Sequence, residues 1–207
     1  MTTEAKNPLS LYKVIVLQEG YSFVDKEQRY RANGSVTLVY GSKHKILVDT
    51  GSPWDGSKIL TKLKQYGVQA DEIDTVVCTH GHIDHVGNLN LFQSAKQIVS
   101  HDTAVKPDIY ESHQFKDGIP YTIDGEYVQV IATPGHTYSD VSVVVRTEDK
   151  GTIVVCGDLF ECENDEQIWR EISEVPEKQE ENRRKVLAMA DYIIPGHGAM
   201  FKVTKTD

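Results

Sequence analysis

The sequence predicts an α/β domain of layered sheets covered by helices. Two patterns carry that reading: short apolar runs that end in Gly- or Pro-containing turns, and intervening segments whose apolar residues recur at helical spacing. A third observation bears on organisation. No Pro/Gly/Ser-rich linker divides the 207 residues, about the size of one domain, so 1–207 reads as a single domain with 1–10 as a flexible polar tail. A hydrophobic fraction of 39% against 26% charged residues is enough apolar material to bury a core.

The elements follow in order. Residues 11–18 read as a strand, with Val14, Ile15, Val16 and Leu17 in one apolar run. Residues 19–33 read as a polar loop dotted with Tyr21, Phe23 and Tyr30 and carrying Arg29 and Arg31. Strands at 35–40 and 45–49 are joined by the turn Gly41-Ser42-Lys43-His44. After Thr50-Gly51-Ser52-Pro53, the spacing of Ile59, Leu60, Leu63 and Tyr66 predicts a helix that Gly67 stops. A buried strand at 73–78 runs straight into Thr79-His80-Gly81-His82. A short helix near 86–92 and a strand at 97–100 precede an irregular stretch, 101–121. Strands at 127–132 and 141–146 flank Thr133-Pro134-Gly135-His136, and a strand at 152–156 ends at Gly157-Asp158. Helices are expected at 163–173 and 177–190. The second has Pro176 at its start, glutamates early and Arg183, Arg184 and Lys185 late, as the helix dipole favours. Residues 192–194 form a last strand leading into Pro195-Gly196-His197-Gly198.

Composition narrows the function classes. Lys+Arg 22 against Asp+Glu 31 gives a net charge of −9, which argues against a broad basic surface gripping nucleic acid. A local basic patch, or positive charge brought by metal ions, stays compatible with it. No run approaches the length of a membrane span, and the polar N-terminus lacks the apolar core of a signal peptide. Cys78, Cys156 and Cys162 form no CxxC pair, so a reducing, intracellular compartment is expected, with Cys78 and Cys156 as buried small hydrophobes.

The histidines carry the chemistry. Five of eight sit where strands end in Gly-containing turns. In Thr79-His80-Gly81-His82-Ile83-Asp84-His85, His80 and His82 point the same way in extended backbone and can share one ion. Where the chain turns into a helix, Asp84 and His85 can face a second ion. His136, Asp158 and His197 recur in the same context, each beside a glycine after an apolar strand. His and carboxylate donors at this density suit Zn²⁺, with Fe or Mn as alternatives.

The ordered set Asp49-Thr50-Gly51, HxHxDH, His136, Asp158 and His197 resembles the metallo-β-lactamase superfamily across nearly the whole chain. The resemblance implies an αββα sandwich of two mixed β-sheets covered by helices, with the site on loops at one edge. It implies that His80, His82 and His136 hold a first metal, that Asp84, His85 and His197 hold a second, and that Asp158 bridges them. Asp84 is the expected catalytic acceptor that orients the attacking water, and Asp49 is expected to buttress the ligands from behind.

Asp158 stands where many zinc β-lactamases carry Cys, so antibiotic hydrolysis is not expected. Given the short tail after His197, a glutathione-binding helical region of the glyoxalase II kind is not expected, and given the short stretch from Asp158 to His197, neither is an inserted second domain. Further matches at Gly51-Ser52-Pro53-Trp54, Gly87-Asn88-Leu89, Val99-Ser100-His101-Asp102 and Phe160-Glu161 resemble a compact animal branch of the superfamily. That resemblance implies a two-zinc endoribonuclease acting on the 3′ ends of histone pre-mRNA, cytoplasmic and nuclear, as a homodimer. A glyoxalase II-like thioester hydrolase and an iron persulfide dioxygenase are the alternatives. Tyr21, Arg29 and Arg31 are candidate RNA contacts through stacking and phosphate pairing. No motif specific to DNA and no membrane partner is expected. His101 is expected at a rim, His44 and His113 in solvent, and the 161–166 acidic cluster as a solvated helix start.

Overall fold

The computed structural model describes residues 12–113, 115 and 118–205. The 1–10 tail lies outside the described residues. Among the described residues the first strand is β1 (Lys13–Gln18), followed by a hairpin, β2 (Tyr21–Val24) and β3 (Tyr30–Asn33), that pairs only with itself. β4 (Val36–Tyr40), β5 (Lys45–Val48), α1 (Gly56–Gln65), β6 (Thr75–Cys78), α2 (Ile83–Val86) and β7 (Lys96–Val99) follow, and β8 (Asp102–Lys106) and β9 (Ile109–Glu111) complete a seven-stranded sheet. Its order is β1-β4-β5-β6-β7-β8-β9, with β5, β6 and β7 parallel and the flanking pairs antiparallel. The second sheet holds β10 (Tyr121–Asp124), β11 (Val128–Ala132), β12 (Val141–Thr147) and β13 (Gly151–Gly157). After α3 (Ile168–Glu171) and α4 (Pro176–Met189), β14 (Tyr192–Pro195) joins β13 in parallel, and β15 (Phe201–Lys202) closes the edge.

Period-two alternation makes these strands into layers. Ile46 and Val48 point between the sheets, where they meet Val143, Val145, Ile153, Val155 and Ile194 in one buried cluster. Leu47 points the other way and packs under Ile59 and Leu63 of α1. Val154 and Cys156 face outward from the second sheet onto Val186 and Ala190 of α4. The result is helix, sheet, sheet, helix: the αββα sandwich. Among the described residues no helix is long and apolar enough to cross a membrane.

Three expectations need correction. The 19–33 loop is the β2–β3 hairpin, turned by Asp25, whose carboxylate accepts from the N–H groups of Glu27 and Arg29, with Gln28 at φ 61°. No glycine or proline marks that turn. The 101–121 stretch contains β8 and β9, which extend the first sheet. The helix expected over 163–173 is a single turn, Ile168–Glu171, because Asp165 is engaged elsewhere: it accepts from Glu161 N–H at 2.9 Å and takes the Arg183 fork at 2.6 and 2.7 Å. Strands β10 and β15 were also not anticipated.

Candidate metal centre

Four strand ends deliver the site. The loop after β6 carries His80, His82, Asp84 and His85, and the loops after β11, β13 and β14 carry His136, Asp158 and His197. The structure brings all seven expected donors together. His80 Nε2 lies 2.9 Å from His82 Nδ1, which lies 3.0 Å from His136 Nε2. Asp158 Oδ2 closes this set, 3.3 Å from His136 Nε2 and 3.6 Å from His80 Nε2. Across the same carboxyl, Oδ1 is 3.2 Å from His85 Nε2, while Oδ2 is 3.2 Å from His197 Nε2. Asp84 Oδ2 is 3.9 Å from His197 Nε2, and Asp84, His85 and His197 offer a second convergent set.

The spacing fits metal binding. Donors about 2.1 Å from a tetrahedral ion lie roughly 3.4 Å from one another. Buried His85 Nε2 and Asp158 Oδ1 face each other at 3.2 Å without meeting hydrogen-bond geometry, a pairing that a cation can replace. These residues therefore form a His/Asp cluster able to hold metal, with the Asp158 carboxyl facing both donor sets.

The surrounding contacts aim the rings. His85 Nδ1 lies 2.9 Å from Asp49 Oδ2, which fixes a proton there and turns Nε2 toward Asp158. Thr79 donates its N–H to Asp49 Oδ1 at 2.7 Å and its hydroxyl to Oδ2 at 3.0 Å, and the same hydroxyl lies 3.1 Å from His80 Nδ1. Asp49 sits at φ 58°, in the left-handed region, which points its carboxylate beneath the ligands rather than along the strand. His197 Nδ1 is held at 3.1 Å by the carbonyl of Asn33. From α4, Gln179 donates to the Asp158 carbonyl at 2.8 Å and Asn182 to the Pro134 carbonyl at 2.7 Å, so one helix braces two ligand loops. A Cβ at Gly196 would fall 1.9 Å from Asp158 Oδ1, so only glycine lets that loop pass the carboxylate. Sequence reasoning missed Gln179, Asn182 and Asp140. Asp140 accepts from Gly135 N–H and from Thr137 N–H and Oγ1, and burial still pushes it up to about 7.

Electrostatics divides the two donor sets. Burial and the neighbouring His85 hold His80 well below the usual histidine range, and burial also lowers His136. Burial opposes charge on His85 and His197 too, but Asp158 outweighs it, raising His85 well above its ordinary value and His197 to about 9. Burial likewise resists ionisation of Asp158, yet His85, His80 and His197 hold its carboxyl well below the usual range. In the metal-free protein at pH 7, His85 and His197 thus carry protons that an incoming ion must displace, whereas His80 and His136 do not. Metal affinity at the second set is expected to rise with pH through the His197 titration near 9, with release of about one proton per displaced histidine. Calorimetry in buffers of different ionisation enthalpy reads that release, and binding with no proton release would contradict it.

The hairpin that carries the candidate RNA contacts joins the centre at its base. The β2–β3 hairpin exposes Tyr21, Phe23 and Tyr30, with the Tyr21 and Phe23 rings 5.7 Å apart. Its base is tied to the His197 loop through Ser35 N–H to the Gly196 carbonyl at 2.8 Å. Arg29 is paired with Asp25 and Glu27, each at 2.8 Å, and Arg31 is exposed. His101 stacks on Phe115 away from the donors. His44 pairs with Asp74 at 3.2 Å, and His113 is half-buried, edge-on to Phe115 and Tyr121, rather than free in solvent. Glu161 corrects the solvated-cluster expectation: it is 3% exposed and reaches the centre, and burial and Asp158 push its carboxyl well above the usual range.

An αββα sandwich with His, Asp and His donors gathered at one edge defines a metallo-hydrolase of the metallo-β-lactamase type. The family model of that superfamily matches residues 29–197, and this chain belongs to the superfamily. It is similar to metallo-beta-lactamase domain-containing protein 1 of Xenopus laevis, 48% identical over 199 residues that cover 96% of this chain and 84% of that protein. The Homo sapiens protein of the same name is 40% identical over 222 residues, covering 94% and 83%. Among solved structures, an N-acyl homoserine lactone hydrolase with N-hexanoyl-L-homoserine at its catalytic metal centre overlays with a TM-score of 0.65 at 18% identity, covering 91% of this chain and 92% of that one. The mono-zinc form of the FIM-1 metallo-β-lactamase of Pseudomonas aeruginosa overlays at 0.64 and 19% identity, covering 88% and 84%. At such identities the two structures share the fold.

Proposed function

We propose that this metallo-hydrolase is a two-zinc phosphodiesterase that cleaves single-stranded RNA, such as the 3′ ends of histone pre-mRNA. The observation that carries the reading is the pair of donor sets joined by the Asp158 carboxylate, next to an aromatic hairpin. His80, His82 and His136 would hold one ion, Asp84, His85 and His197 the other, with iron or manganese as alternatives to zinc. Ions bound there supply acidified water, with a pKa near 7 rather than about 15.7, and positive charge for a phosphate. Asp84, the most accessible of the carboxylates at 18% side-chain exposure, takes a proton at Oδ from the attacking water. Asp49 and Thr79 keep His85 and His80 in register while it does so. Tyr21, Phe23 and Tyr30 stack unpaired bases and Arg31 meets a phosphate, which compensates locally for a net charge of −9. In this reading the protein works as a homodimer in cytoplasm and nucleus, without DNA or membrane partners.

The net charge favours a second reading, a thioester hydrolase acting on a small substrate. Turnover of single-stranded RNA, single-stranded DNA and S-lactoylglutathione by metal-analysed protein separates the two. RNA cleavage ahead of duplex is expected because unstacked bases and a bendable backbone reach a recessed centre. Arg31→Ala is expected to weaken RNA binding and lower its salt slope by about one, with metal content unchanged. Arg29→Ala should do less, since Asp25 and Glu27 already neutralise that guanidinium. Rapid thioester hydrolysis without RNA cleavage gives the function to the second reading, and one iron with no zinc points to a dioxygenase.

A further inference from the structure

Glu161 is a buried acid at the centre that neither expected ligand set uses. Both of its carboxylate oxygens are buried and have no hydrogen-bond partner. Its placement is fixed from both sides: the Glu161 N–H donates to Asp165 at 2.9 Å, and its carbonyl accepts from His197 N–H at 2.9 Å. Arg183 does not neutralise it, because that guanidinium is committed to Asp165 at 2.6 and 2.7 Å and to the Leu159 carbonyl at 2.8 Å. Glu161 Oε2 lies 3.9 Å from His197 Nε2, the same distance as Asp84 Oδ2. With Asp158 and His197 it forms a third group whose donor atoms all lie within 4.8 Å of one another. A buried carboxylate with no donor is costly, and a cation at that point removes the cost.

We propose that Glu161 is a further ligand of the second metal ion. The inference rests on the two-metal reading of the centre and is independent of the substrate. The two positions then differ in kind. The first offers three imidazoles and the shared Asp158 carboxylate, a set suited to zinc. The second offers two trios that share His197, Asp84 with His85 in one and Asp158 with Glu161 in the other, a surrounding richer in carboxylate oxygen than the first. Such a set narrows the preference for zinc over manganese or iron(II) relative to the first position without reversing it.

The test is metal loading of the full chain, stripped with chelator and titrated with Zn²⁺ and Mn²⁺, using elemental analysis and calorimetry as readouts. The wild type is expected to take two ions and, offered both metals, to hold zinc at both positions. Glu161→Gln is expected to keep the first zinc within about twofold and to bind the second ion at least about tenfold more weakly. Glu161→Ala guards against coordination by the glutamine amide oxygen and should show the same split. The metal-free variants should melt no lower than the metal-free wild type, and the rise in Tm on adding metal should shrink. A second ion bound at wild-type affinity overturns the proposal, and so does equal weakening of both ions, which would mark Glu161 as a structural support of the Asp158 loop. Because these readouts are metal content and melting, an absence of RNA cleavage would not touch this result, nor would its failure touch the choice of substrate.

Discussion

Asp158→Ala is expected to lose both metal and hydrolysis, the largest effect of any single substitution in this chain. Its two oxygens face both donor sets, so no other side chain substitutes for it. With it removed, each ion loses an anionic ligand, and His85 and His197 lose the charge that draws cations to their side of the centre. Turnover should fall by more than about a thousandfold, since water is no longer acidified at neutral pH. Stability of the metal-free protein should also fall, by about 3–5 kcal/mol, the usual consequence of deleting one member of a buried charged cluster. Elemental analysis, initial rates and denaturant melts read the three effects, and a variant that keeps both ions and its rate would refute the bridging role.

Asp84→Asn should separate binding from chemistry. The amide keeps a donor oxygen in place but cannot accept a proton, so the variant is expected to retain the first ion fully and the second in part. Its kcat should fall by about 10²–10⁴, the range for loss of a general base, with KM changing little. The pH–rate profile supplies the sharper reading: the limb due to the carboxylate should vanish. An unchanged kcat would reassign the proton acceptor.

The seven donors were legible because their chemistry is local. HxHxDH lies within one turn, and His136, Asp158 and His197 each follow a strand whose apolar run is visible in sequence. Glu161 was not legible, since it is held by the His197 loop, whose N–H returns from the far end of the chain to donate to the Glu161 carbonyl. In isolation the acids at 161–166 resemble a solvated helix start. The β2–β3 hairpin was hidden for another reason: Tyr21, Phe23 and Val24 suit a strand, but none is buried, so no alternation of faces marks it. The role of Asp49 was anticipated only as support. Its left-handed backbone, which sets the direction of that support, has no signature in composition.

The division of the centre between two sheets sets an order of assembly. The HxHxDH loop belongs to the first sheet, while His136, Asp158 and His197 arrive on the second. During synthesis the first group emerges well before its partners and lacks the donors that complete each set. Enclosure awaits the docking of two halves whose contacts are distant along the chain, a slow and entropically demanding step. The centre is therefore completed only when the tertiary fold is, and its geometry reports on the docking of the two sheets.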